Sequence, residues 1–100
     1  MIVPGATPTH EFILPVSEED VAALRITYEV NGKNVLQKQK EECTFNGTVC
    51  TTKLSQKETL LFPSNVTVRI QLKGRTTGGD VIISDIIKRP SALVLDTEEI

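Results

Sequence analysis

Tryptophan is missing from this chain, and aromatic residues make up only 4% of it: Phe12, Tyr28, Phe45 and Phe62. A core built with so few rings must rest on Ile, Val and Leu, whose β-branched members favour strands. Nor does one sign of charge dominate. Eleven Lys and Arg face 13 Asp and Glu, for a net charge of -2, so no long-range field draws in nucleic acid or an anionic membrane. No apolar run approaches the ~20 residues that span a bilayer. The opening Met1-Ile2-Val3-Pro4-Gly5 lacks the basic start and long apolar stretch of a secretory signal, so the expected place of synthesis is the cytoplasm. In that setting Asn46-Gly47-Thr48 and Asn65-Val66-Thr67 read as turn and strand chemistry, not as glycan acceptors.

The chemical groups that enzymes use are equally sparse. There is one histidine, His10, and there are two cysteines, Cys43 and Cys50. A nucleophilic site needs an activated serine or cysteine with a base and an orienting partner, and one histidine beside an irregular arm does not supply that set. A tetrahedral zinc site needs four ligands, more than these three residues give. The acids fall at Glu18-Glu19-Asp20, at Glu41-Glu42 and near the C-terminus, where solvated surface is the default reading. Gly78-Gly79 has no phosphate-loop or dinucleotide-loop pattern around it. The expectation is a protein that is not an enzyme and holds no metal or cofactor.

What the chain does have is alternation. His10, Phe12 and Leu14 share one face of a strand, with Thr9, Glu11 and Ile13 on the other. Ser17-Glu18-Glu19-Asp20 then reads as one helical turn capped by Ser17. Leu24, Ile26, Tyr28 and Val30 point inward from the clearest strand, and Asn31-Gly32 turns it into a hairpin. The return strand, about 34–40, is rich in lysine and glutamine, which suits a sheet edge. Arg69, Lys73 and Arg75 lie on the polar face of a strand whose other face holds Val66, Val68, Ile70 and Leu72. Val81 to Lys88, apolar on both faces, reads as a central or doubly covered strand.

A second hairpin centred on Asn46-Gly47 would set Cys43 opposite Cys50. Opposed residues of an antiparallel pair lie within disulfide reach, whereas a reducing compartment favours two free thiols. Ser55-Gln56-Lys57-Glu58 has the Ser-x-x-Glu form of a capping box and predicts a short helix over 55–62.

Together these elements predict an all-β protein: an immunoglobulin-like antiparallel sandwich of about seven strands with one short helix. An N-terminal arm over residues 1–8 and a tail over 91–100 flank a body over 9–90. Ile2, Val3, Leu93, Val94 and Leu95 lie outside the strands. Apolar residues in terminal arms either fold back over a sheet edge or dock on a neighbouring subunit, so these are candidate docking residues.

Three stretches carry a likeness: Ala23-Leu24-Arg25-Ile26-Thr27-Tyr28, Leu54-Ser55-Gln56-Lys57-Glu58-Thr59-Leu60-Leu61-Phe62 and Val68-Arg69-Ile70-Gln71-Leu72. With the opening Pro4-Gly5-Ala6-Thr7-Pro8-Thr9, they resemble small phage and prophage proteins of Gram-positive gut bacteria, which tend to be encoded among tail genes. Those proteins look similar in shape to the immunoglobulin-like N-terminal module of phage baseplate proteins. The resemblance implies a structural or adhesion module that ends in a virion, at the tail or baseplate. Its expected partners are other phage structural proteins, copies of itself within an assembly, and a cell-surface glycan met by Thr44, Thr51 and Thr52. It carries over no site residues.

Overall fold

In the computed structural model, which describes residues 1–100, the chain folds as two antiparallel sheets packed face to face. The smaller sheet has the order β1-β5-β4, from β1 (Thr9–Ile13), β4 (Thr44–Asn46) and β5 (Val49–Lys53). The larger runs β3-β2-β6-β7, from β2 (Val21–Val30), β3 (Lys33–Gln39), β6 (Thr67–Thr76) and β7 (Val81–Ile83). β8 (Ile87–Pro90) continues the outer edge by pairing with the first half of β6. With β1 as the B strand of an immunoglobulin domain, the small sheet reads B-E-D and the large one C′-C-F-G. Ile2 forms a parallel bridge to Ser91 just beyond β8, so the arm joins the larger sheet and not β1, beside which an immunoglobulin A strand lies. The sandwich is immunoglobulin-like in its connections as well as its outline.

The alternation seen in sequence becomes the core. Leu24, Ile26, Tyr28 and Val30 from β2 meet Val68, Ile70 and Leu72 from β6, and Phe12, Cys50 and Leu54 close over them from the small sheet. Asn31 and Gly32 both take positive φ, 53° and 81°, the requirement of the tight hairpin turn that matches strand twist. α1 (Gln56–Thr59) is a single turn with its capping box complete. The Ser55 hydroxyl accepts from the Glu58 N–H at 3.1 Å, and the Glu58 carboxylate accepts from the Ser55 N–H at 2.8 Å. The helix is shorter than the expected 55–62, because Leu60 to Phe62 bond back through turn contacts before Pro63.

Other expectations are corrected. Ser17 precedes the 3-10 turn Glu18–Asp20, yet its side chain makes no cap hydrogen bond. In the second hairpin Asn46 pairs with Val49, so the loop is Gly47-Thr48 and not Asn46-Gly47. Gly47 at φ +62° occupies the first central position, where a type II′ turn needs glycine. This slide of two residues leaves every side chain on its face but puts Phe45 opposite Cys50, and it takes Cys43 out of direct opposition to Cys50. Val81 to Lys88 is neither continuous nor covered. It breaks at Ser84, whose hydroxyl accepts from the Leu72 N–H at 2.9 Å, and both halves lie at the sheet edge with Val81, Ile83 and Ile86 exposed. Its outer apolar row faces outward because no later strand returns to cover it.

Candidate functional site

The two sheets end on the same side of the molecule with their last strands unpaired: β1 in the small sheet, β7 and β8 in the large one. Between them runs a groove of about 530 Å³ lined by Phe12, Ile13, Leu14, Leu72, Ile82 and Ile87, among others. Ile13 is 84% exposed, although it sits in a strand. Its place on the polar face of Thr9–Leu14 was the sequence signal for this surface. Further along the same flank a second hollow mixes apolar Ile70 and Ile87 with His10, Glu11 and Arg89.

β1 also presents free backbone. The Leu14 N–H donates to the Thr48 carbonyl, and the Leu54 N–H donates to the Pro8 carbonyl. In the antiparallel register of β1 with β5, even-numbered residues of β1 therefore bond inward to β5. The N–H and C=O groups of Thr9, Glu11 and Ile13 point away from the sheet, as the alternating ladder requires.

The expected docking residues separate into two groups. Ile2 is 1% exposed and belongs to this chain's own core, so the N-terminal arm folds back and Ile2 leaves the docking set. The arm is held by Thr59, whose hydroxyl accepts from the Gly5 N–H at 2.9 Å and donates to the Ala6 carbonyl at 2.7 Å. Val3 stays partly exposed, whereas Leu93 and Leu95 are 65% and 96% exposed, with Val94 between them half-buried. The threonines proposed for glycan contact are also divided. Thr52 is buried and donates to the Glu42 carbonyl, and the Thr51 hydroxyl donates to the Thr44 carbonyl. Thr44 is exposed.

The titratable groups form separate pairs. His10 Nδ1 lies 2.7 Å from the Tyr28 hydroxyl. Burial holds the His10 pKa below its ordinary value, aided by the charges of Arg89 and the Met1 amino group. Burial pushes the Tyr28 hydroxyl up, so it keeps its proton beside the imidazole. Both cysteines are free thiols. Burial raises Cys43, and burial with the neighbouring Cys43 pushes Cys50 up to about 12, which makes Cys50 a poor nucleophile.

Lys38, in the edge strand β3, is 5% exposed. Its ammonium donates to Glu58 at 2.8 Å and lies 3.5 Å from Glu42. Burial alone would raise Glu58, but the bonds from Lys38 and Ser55 bring it below the usual carboxylate range. On the outer face of the large sheet Arg69 pairs with Glu29. Arg69 and the Gly32 N–H lower the Glu29 pKa. No three His, Cys, Asp or Glu side chains converge in a way that would hold a metal ion, and no helix is long and apolar enough to cross a membrane. No family model, curated protein or solved structure matches the chain.

Proposed function

We propose that this protein is a non-enzymatic docking module of a larger assembly, and that the assembly is a phage particle, at its tail or baseplate. The observation that supports docking is the open flank, an apolar groove beside a strand whose edge is unpaired. Surfaces of this kind are characteristic of interaction sites. The tail over Leu93–Leu95 adds a second apolar element outside the sandwich. The phage setting rests on the likeness of Ala23–Tyr28, Leu54–Phe62 and Val68–Leu72 to small phage proteins.

A second reading, a free binder that pairs this edge with a host or phage protein, is favoured by the outward backbone groups of β1. Quantitative mass spectrometry of washed phage particles from a strain carrying the gene separates the two. A fixed copy number in multiples of three or six supports a tail or baseplate component, and hundreds of copies point to capsid decoration or the tail tube. Absence from particles overturns the virion reading and leaves the free binder.

A further inference from the structure

The fold sorts charges that the sequence mixes. Arg25 of β2, Arg69, Lys73 and Arg75 of β6, and Lys88 of β8 share the outer face of the large sheet, where the only acid is Glu29. Five of the 11 bases and one of the 13 acids thus lie on this face, which leaves six bases and 12 acids everywhere else. Glu29 is already paired with Arg69, and no other cation of the face has an acid within salt-bridge reach. Arg25 also stands directly opposite Lys73 across the β2–β6 pair, with Arg75 two residues further along the same face. Like charges so placed are destabilising, and the hollow of about 400 Å³ around them is lined by no acid.

This hollow is one of three that run along the face. It shares Arg25 with a central hollow of about 300 Å³, which in turn shares Glu29 and Arg69 with a third of about 480 Å³ beside Lys88. Together they form a trough along β2 and β6 with cations at both ends and in the middle. From Arg69 to Arg75 alone it spans ~20 Å at strand spacing. We infer that this trough binds a linear anionic polysaccharide. It shares no lining residue with the open flank, so the inference stands or falls apart from the docking reading.

The chemistry of the trough selects that ligand. Arginine offers a planar fork that meets acidic oxygens two at a time. Asn34, Gln37 and Gln71 share the central hollow with Arg25 and Arg69, so neutral hydroxyls are met as well as charges. A protein partner would want an apolar centre, whereas the central hollow has only Ile86 and the third has no apolar side chain. A single nucleic-acid strand would want aromatic platforms, and no aromatic residue lines any of the three hollows. A duplex carries one charge per ~1.7 Å. The cations here are much sparser, because their closest steps along β6 are two strand residues, ~7 Å.

Isothermal titration of the full chain with polygalacturonate, a linear polymer of uronic acids, tests this. Binding should be present in low salt and weaken steadily as salt is added, and neutral dextran should give none. Arg75→Gln alone should weaken binding roughly fivefold, as expected for loss of one exposed charge pair. Arg25→Gln with Lys73→Gln should weaken it more than about tenfold. In that double variant the melting temperature should hold or rise, because two opposed like charges are gone. Lys53→Gln with Lys57→Gln removes the same charge from exposed positions elsewhere and should leave the affinity within about twofold.

No binding of polygalacturonate in low salt overturns the inference. So does equal weakening by both double variants, which would reduce the attraction to overall charge. Native affinity in the variant at Arg25 and Lys73 places the ligand elsewhere and overturns the site. Tighter binding of poly-glutamate or of oligo(dT) overturns the polysaccharide and makes an acidic protein or a nucleic-acid strand the occupant.

Discussion

The two flanks of the sandwich are built in opposite ways. On one, β3 and β4 end the two sheets, and the chain steps between them through a 3-10 turn, Lys40–Glu42. That step is tied on every side. The Gln39 N–H donates to the Glu42 carboxylate at 3.1 Å, Lys40 donates to the Val21 carbonyl at 2.7 Å, and Lys38 reaches Glu42 and Glu58. On the other flank, β1 and β7–β8 end the sheets with no such step between them, and the surface left there is isoleucine-rich. A sheet edge tempts any passing strand. This molecule blunts one pair of edges with buried charge and leaves the other pair open.

The largest effect should come from the closed flank. Lys38→Ala strands the Glu58 carboxylate and should cost about 2–3 kcal/mol in urea unfolding, less than for a fully buried pair because Glu58 keeps some water. Thr59→Val removes both hydrogen bonds to the N-terminal arm and should cost about 1–2 kcal/mol. Its signature is faster hydrogen exchange at Gly5 with β2 and β6 unaffected.

A smaller effect should follow from pH. His10 is held neutral in the fold, below its ordinary value of 6.5, so the unfolded chain binds the extra proton first. Stability is therefore complete above pH 6.5 and falls as pH drops through that value toward the lower folded pKa. Unfolding midpoints at pH 7.5 and 5.5 should show this loss in the native chain and not in His10→Gln. The least change in stability should come from the open flank. Ile13→Thr alters a side chain that is 84% exposed and should shift stability by no more than about 0.5 kcal/mol. A large loss of stability there, or none at Lys38, would erase the contrast between flanks.

The body of the fold was legible because it rests on local rules. Strict alternation in Ala23–Val30 and Val66–Leu72 can satisfy only one burial pattern, and Asn31-Gly32 and Ser55-x-x-Glu58 name their turn and cap directly. What failed depended on neighbours. Whether Val81–Lys88 is covered on both faces is set by which strand lies beyond it, and no residue within the segment carries that information. The hairpin slid by two because one glycine can serve either of two turn types, and side-chain faces do not distinguish them. Lys38 was read as an edge lysine in water. Its burial needs Glu58 from a distant helical turn, a pairing invisible to a pass along the chain. The proposed docking surface was half legible: the apolar tail was marked, but Ile13 gained meaning only once β1 proved to be an edge.

The bridge between Ile2 and Ser91 has a mechanical consequence. Because the two segments run parallel there, tension that draws the chain's ends apart slides one past the other instead of peeling them open. The Ile2 N–H to Pro90 carbonyl bond and the Ala92 N–H to Ile2 carbonyl bond are then loaded together and must break together. A sandwich strung between neighbours by its ends would thus meet a pull with a clasp in shear, resisting until both bonds yield at once.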